Sequence, residues 1–548
     1  MTATTSATAL IGTGGQIVSI ECDITNGLPG LVIVGLGDKA VVEAKERLRS
    51  AIKNSGFSLP AKRITLNLAP ADLPKDGSGY DLGMAIAILA ASGQLPHAQL
   101  DDCVFLGELA LSGEIKPTKG GIVAAQTALD FGKHRLFTGL LAGPEAALLE
   151  DVKVFGVKNL LEIYHHLIGQ KVLSRIPISR WQPATPHSGI FPDMSEIYGQ
   201  LTAKRAVEIA TAGNHNLLLI GPPGAGKTLL ARSIMGLLPP LSQEEIIDVT
   251  KVYSNADGSQ QGVVQHRPFR SPHHTASSIA IVGGGSRPKP GEISLSHGGV
   301  LFLDEILEFP RAVLEVLRQP IEEGRISIAR ASGTIEFPAQ FMLVATANPC
   351  PCGYYGEATH SCNCKISTIQ HYQQKLSGPL LDRLDLVIDV HKVDHQDMLK
   401  AQGQRSTSEV AHSIATVRHI QQERFNHAKF KCNAQMTNDE IKKYCELNNE
   451  TKAIAAMAID RLSLSARGYL RILRVARTIA DIDGQDTIKL EHFTEALQYR
   501  PKIRIKNQKS DASIYSTRQK EPVHVATQSR MAKGIPERKL SQSQSRYQ

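Results

Sequence analysis

Blocks of apolar and polar residues divide the chain into predicted elements. LVIVGLG (31–37) is a short apolar run and predicts a strand, while KAVVEAKERLRSAI (39–52) spaces its apolar residues three and four apart and predicts an amphipathic helix. RITLNLAP (63–70) predicts a second strand and DLGMAIAILAAS (81–92) a second helix. Residues 1–165 therefore read as an α/β or α+β domain. Residues 166–195 hold Pro177, Pro183, Pro186 and Pro192 with few apolar runs, which is the pattern of a linker. A second α/β block covers 196–395. A helical region of three or four segments completes 396–500, its pattern clear from about 407. No internal repeat is present.

At 548 residues the chain is too long for one core, and two to four domains are expected. Apolar residues make up 42% and charged residues 21%, ordinary for a globular protein. MTATTSATALIGTGG lacks a charged n-region and a sustained apolar run, so no secretory signal is read there. The most apolar stretch, MAIAILAA (84–91), is far shorter than the roughly 20 residues a membrane span needs. A cytoplasmic protein without a membrane partner is expected. Its eight cysteines would then be reduced or metal-bound rather than paired.

The net charge of +8 sits in one place: from Pro501 to Gln548 there are eleven Lys/Arg against three Asp/Glu. This Gln/Ser/Lys/Arg-rich tail has no periodicity and reads as disordered, either a solvating tail or an anchor for nucleic acid phosphates. GLGDKA (35–40) mimics a dinucleotide fingerprint, but no acidic residue follows at the required distance, and that reading is set aside.

NLLLIGPPGAGKTLLARSI (216–234) carries the strongest chemical signal. An apolar strand runs into Gly221, Pro222, Pro223, Gly224, Ala225, Gly226, Lys227, Thr228 and Leu229, and then into a helix. Such a loop wraps phosphates with backbone N–H groups at a helix N-terminus. Lys227 would reach the β- and γ-phosphates and Thr228 would ligate Mg²⁺. GGVLFLDEI (298–306) ends its strand in Asp304, a second Mg²⁺ ligand, and Glu305, placed to orient and deprotonate water. QFMLVATANP (340–349) ends in Asn348, either a γ-phosphate sensor or a turn residue before Pro349. In SGPLLDRLDL (377–386), Arg383 is either a salt-bridged surface residue or an arginine finger for a neighbour's ATP. The helix in LSARGYLRILRVARTIADIDG (464–484) carries Arg467, Arg471, Arg474 and Arg477, at least one of which is expected to face nucleotide.

Four of the cysteines fall in NPCPCGYYGEATHSCNC (348–364). Cys350, Cys352, Cys362 and Cys364 form two Cys-x-Cys knuckles. The one-residue gaps do not suit a thioredoxin-type pair. Four thiolates suit tetrahedral Zn²⁺, with His360 as a further candidate ligand. An Fe–S cluster or free thiols stay open as alternatives.

The order of phosphate loop, Asp-Glu strand, strand-end Asn, finger Arg and Arg-bearing lid helix resembles an AAA+ ATPase. HRPFRSPHHTAS (266–277), GGGSRPKPGEISLSHGGVLFLDE (283–305), GRISIARASGTIEFPAQFMLVATANPCPCG (324–353) and SGPLLDRLD are similar to the ComM/YifB family of magnesium-chelatase-like proteins. The resemblance covers roughly residues 5–500. It implies a homo-hexameric ATP-dependent helicase that drives branch migration on single-stranded, forked and junction DNA, during integration of DNA taken up in natural transformation, alongside recombinase machinery. By motif it assigns Arg383 as a finger acting in trans and Arg467 as the second sensor. The hairpin expected in EGRISIARASGTIEFPAQF (323–341) resembles the pre-sensor hairpin of MCM helicases, with Arg330 at the tip. SRPKPGE (286–292), with Arg287 and Lys289, resembles the insert loop that approaches the same pore. Six-fold rings of single basic residues would grip a backbone without reading its sequence. HRPFRSPHH (266–274) is basic with one aromatic and suits either DNA or a neighbouring subunit.

PKDGSGYDLGMAIAIL (74–89) and GEIKPTKGGIVAAQTAL (113–129) resemble the catalytic stretches of the Lon protease domain, which implies a Lon-like (ribosomal S5 domain 2-like) α+β fold. The positions of the nucleophile and base fall on Gly79 and Ile122, so proteolysis is not expected. A relocated dyad of Ser78 with Lys116 or Lys119 is the remaining alternative. The rival to the helicase is a magnesium-chelatase-type motor for metal insertion or protein remodelling, whose subunit is expected to lack the N-terminal domain.

Overall fold

The computed structural model describes residues 2–35, 37–178, 191–256, 262–285, 288–330, 333–357, 360–393, 405–426, 432–462 and 464–500. Arg287, residues 331 and 332, much of the proline-rich stretch and the basic tail lie outside the described residues.

The four elements predicted in the N-terminal block are present, each end within three residues of its expected position, and further strands that the pattern did not announce surround them. Thr2–Ile11 and Gly14–Thr25 pair antiparallel, with Thr5 opposite Ile20 and Ala7 opposite Val18. Arg63–Ala69 extends that sheet antiparallel and Gly30–Val34 joins in parallel. Three further strands, Cys103–Leu106, Arg135–Gly139 and Lys153–Val157, form a parallel sheet. The amphipathic helix Lys39–Asn54 starts where the Asp38 side chain accepts the Val41 N–H. Helix Asp81–Ala91 is buried along its whole length, as a helix apolar on every side must be. Its one charged residue, Asp81, is neutralised by Arg47 at 2.7 Å.

The second block is a five-stranded parallel sheet. Across it run Phe269–Arg270, Val300–Leu303, Met342–Ala347, Leu217–Ile220 and Leu386–Asp389. Successive side chains point to opposite faces. Leu217, Leu219, Val300, Phe302, Met342 and Val344 enter one apolar cluster, and Leu218, Leu301, Leu303, Leu343 and Ala345 another. Both faces are covered, which explains why these strands read as unbroken apolar runs. All parallel strands deliver their C-terminal loops to one edge, where the site forms.

The helices Thr407–Arg424, Asn438–Tyr444, Asn449–Leu462, Ala466–Ile482 and Leu490–Gln498 make the lid. Ile472, Val475 and Ile479 of the long helix share a cluster with Ala206 and Ile209 of helix Leu201–Gly213.

Two joints tie the N-terminal domain to the second block. Ile122, Val123 and Leu148 pack with Leu241, Ile246 and Val249. The turn between the first two strands holds Gly12 at φ 61°, under the hairpin that precedes strand Met342–Ala347; a Cβ there would lie 2.8 Å from Cγ2 of Ile335.

Candidate functional site

Strand Leu217–Ile220 is followed directly by the phosphate loop and helix Lys227–Leu237. Gly224 and Gly226 hold left-handed backbone, φ 77° and 82°. Lys227 is buried, and its Nζ donates to the carbonyls of Gly221 and Pro222 at 2.7 and 2.8 Å and to Oδ1 of Asn348 at 3.1 Å. Burial lowers its pKa, against the opposing pull of Asp304 and Glu305. Four sequence-predicted residues, Gly221, Pro222, Lys227 and Asn348, thus meet beyond two strand ends.

Thr228 Oγ1 lies 3.4 and 3.3 Å from the two carboxylate oxygens of Asp304. Two hard oxygen donors sharing an octahedral Mg²⁺ at about 2.1 Å would sit roughly 3 Å apart, so this pair fits the ion. Glu305 is exposed and adopts φ 52°, ψ 52°, a left-handed conformation that L side chains enter at a cost. Thr346, which sequence reading missed, organises both acids. Its hydroxyl donates to Asp304 at 2.5 Å and accepts the Glu305 N–H at 2.9 Å. The available signal was a polar residue two positions before Asn348 in an otherwise apolar strand. Gln200 was also missed. It carries φ 55°, and its amide donates to the Ala225 carbonyl at 3.3 Å and to the His391 carbonyl.

Arg383 is folded against its own subunit. It donates to the carbonyls of Arg318 and Pro379 at 3.0 and 2.7 Å and pairs with Glu322. Arg467 reaches the same Glu322 at 3.1 Å while its side chain stays 68% exposed. The other lid arginines are used internally: Arg471 on Asp385 at 3.0 Å, Arg474 on the Met436 carbonyl at 2.5 Å, Arg477 on Asp481 at 2.9 Å. Of the four, Arg467 is the one left mostly exposed.

The predicted hairpin is present. Arg325–Arg330 pairs with Gly333–Pro338, and Arg330 stands opposite Gly333 beside the tip. Lys289 lies in a two-residue strand paired with Gly283–Gly284. Within HRPFRSPHH, Arg267 clamps Glu245 at 2.9 Å and Arg270 clamps Glu292 at 2.6 Å, so both arginines hold the fold together.

In the N-terminal domain the Ser78 hydroxyl donates to Glu108. Lys116 pairs with Glu114 at 2.9 Å, and Lys119 donates to the Ala256 carbonyl at 2.8 Å. Ser78 is thus hydrogen-bonded to a carboxylate, while Lys116 and Lys119 are engaged elsewhere.

The four cysteines of 350–364 converge, all sulfurs lying within 4.8 Å of one another. Measured separations are 3.3 Å for Cys350–Cys352, 3.7 Å for Cys350–Cys362 and 3.6 Å for Cys352–Cys362. A disulfide needs about 2.05 Å. A tetrahedron of Zn–S bonds of about 2.3 Å has edges of roughly 3.8 Å. Backbone N–H groups of Tyr355 and Cys364 point at Cys350 and Cys362 at 3.3 and 3.4 Å, donors that suit thiolates. The donor set fits zinc. His360 stacks on Tyr354 instead, ring centroids 4.9 Å apart, and is not among the converging ligands.

Known proteins share this arrangement of sequence. Family models described as magnesium chelatase, subunit ChlI, match residues 193–398, and its C-terminal part matches 404–500. A model described as subunit ChlI of Mg-chelatase matches residues 20–139. The competence protein ComM of Haemophilus influenzae is 44% identical over 501 residues, 91% of this chain and 97% of that protein. The uncharacterized protein YifB of Escherichia coli K12 is 44% identical over 504 residues, 90% and 96% of the two chains. The magnesium-chelatase 38 kDa subunit of Rhodobacter capsulatus is 22% identical over 349 residues, 59% of this chain and 92% of its own. Among the described residues no helix is long and apolar enough to cross a membrane.

Proposed function

Because this chain belongs to the ComM/YifB family of magnesium-chelatase-like AAA+ proteins, we propose that it is an ATP-driven DNA motor. It works as a cytoplasmic homo-hexamer that migrates branches in recombination intermediates, including those formed when incoming DNA is integrated during transformation. One observation carries the reading. A single stretch of chain places a basic-tipped hairpin, Arg325–Pro338, immediately before the strand Met342–Ala347, whose following residue, Asn348, holds Lys227. A change at the γ-phosphate therefore reaches the hairpin through one short strand.

In hydrolysis, Lys227 and the loop N–H groups bind the β- and γ-phosphates, and Asn348 is released from Lys227 to contact the γ-phosphate. Glu305 orients the attacking water and accepts its proton. Thr228 and Asp304 would hold Mg²⁺, which neutralises charge on the phosphate oxygens. Arg383, once freed from Glu322, reaches the ATP of the adjoining subunit, and Arg467, freed from the same carboxylate, acts as the second sensor. Arg330, Lys289 and Arg287 of six subunits line the pore and grip single-stranded or junction DNA by its phosphates. Cys350, Cys352, Cys362 and Cys364 would hold zinc as a closed structural site. The N-terminal domain serves as a collar and does not cleave peptides.

A magnesium-chelatase-type remodelling motor is the second reading, favoured by the chelatase models that match all three regions. Branch migration on forked and four-way junctions with ATP, together with ATPase measured with and without DNA, separates the two. ATPase indifferent to every DNA structure, with no strand exchange, would replace the helicase by the remodelling motor.

A further inference from the structure

The cysteine cluster is built against the phosphate loop. Gly353, next to Cys352, takes φ +85° and presses so closely on the loop that a Cβ there would lie 2.6 Å from Cδ and 3.3 Å from Cγ of Pro223. The preceding residue, Pro222, is one of the two carbonyls that hold Lys227. At the other end, Cys350 stands two residues after Asn348, the third partner of Lys227. Gln373 donates to the intervening Pro349 carbonyl at 2.8 Å and fixes that corner. On the far side, Nζ of Lys392 lies 5.4 Å from the ring centroid of Tyr354, and the neighbouring His391 carbonyl accepts from Gln200, which also reaches Ala225 of the phosphate loop.

We propose that zinc bound by Cys350, Cys352, Cys362 and Cys364 holds the phosphate loop in its ATP-binding form, so that metal occupancy sets nucleotide affinity. The proposal rests on the zinc reading of the four thiols. Only Cys350 of the four is buried; the rest are half-buried, so apolar packing alone does little to close this loop. Thiolates 3.3–3.7 Å apart repel unless a cation lies between them. With the metal, binding energy is folding energy for the loop. Without it the knuckles separate, Gly353 leaves Pro223, and the carbonyl cradle of Lys227 loses its outer wall. A structural zinc in a remote lobe would have no such consequence. This one is a single van der Waals contact from the residue next to a Lys227 partner.

The experiment measures zinc content and fluorescent-ATP affinity of the full-length protein as purified, after chelation under reducing conditions, and after Zn²⁺ is restored. Gly353→Ala is measured beside it, because that variant keeps all four thiols while crowding Pro223 and straining the turn at φ +85°. The expectation is about one zinc per chain, with affinity weakened about tenfold on removal and recovered on restoration. Gly353→Ala should hold its zinc and bind ATP about tenfold more weakly. Less than about half a zinc per chain in the untreated protein overturns the metal reading itself. Full zinc with unchanged affinity after removal overturns the coupling and leaves the metal reading standing. Full zinc and undiminished affinity in Gly353→Ala overturns the route through Pro223, and this arm decides if chelation unfolds the chain.

Discussion

Nζ of Lys227 donates to Oδ1 of Asn348 at 3.1 Å, joining residues 121 positions apart in sequence. The bond gives Lys227 a neutral partner, and under the proposed function a phosphate replaces it and Asn348 turns to the γ-phosphate. Asn348→Ala should therefore lower kcat for ATP about 100-fold, the typical loss of one aimed polar group, with ATP affinity moved far less. Steady-state turnover and fluorescent-nucleotide binding check this. Unchanged turnover would remove Asn348 from the catalytic site.

Arg383 and Arg467 share Glu322 in the isolated subunit. Neither is free to act until that carboxylate lets go, which we expect on ring closure. Mixing Arg383→Ala with Glu305→Gln, each inactive alone, should restore part of the ATPase in mixed rings, since an intact acid in one subunit then meets an intact arginine from its neighbour. No recovery in verified mixed rings would show that Arg383 acts only on its own subunit. Glu322→Gln should leave ATP binding intact and ease assembly of the ring, read by light scattering.

The buried pair of Arg471 and Asp385 joins the lid helix to the loop before the last core strand. Burial alone would raise the Asp385 pKa. Arg471, then His215 and the Asn216 N–H, outweigh it and hold the carboxyl well below the usual carboxylate range. A depressed native pKa means stability that is fully present above about pH 4 and lost as pH falls below it. Arg471→Met strands the carboxylate and should cost about 3–5 kcal/mol, measured by denaturant unfolding at neutral pH. The gap between variant and wild type should narrow in acid, where Asp385 is protonated.

Arg330 flanks the hairpin tip, and Gly12 of the N-terminal domain supports the same hairpin at Ile335. Arg330→Ala should abolish most DNA stimulation of ATPase and most unwinding while nucleotide binding stays normal. Full unwinding by that variant would end the pore assignment. Gly12→Val, strained at φ 61° and crowding Ile335, should reproduce part of the same loss without touching DNA.

Much of this site was legible because its chemistry is local. The loop from Gly221 to Thr228 has one sterically sensible way to bind phosphates, and the runs before Asp304 and Asn348 are long enough to announce buried strands. The cysteine cluster was legible too, since four thiols in fifteen residues have few other uses. Thr346 and Gln200 were not, because a threonine in a strand and a glutamine at a helix start gain meaning only from the groups they meet.

The sequence by itself determined the elements, the phosphate loop, the acid pair and the knuckle, because each is set by periodicity or by spacing over a few residues. Tertiary structure alone decided which arginines are spent on the fold. Arg467, Arg471 and Arg474 look equivalent on a helix repeat, yet their partners Glu322, Asp385 and Met436 come from three different places in the chain, while Arg477 meets Asp481 one turn on along its own helix. It also decided that Gly353 rests on Pro223 and Gly12 on Ile335. Such contacts join segments far apart in sequence, and no short-range pattern encodes them, since they depend on how complete elements pack.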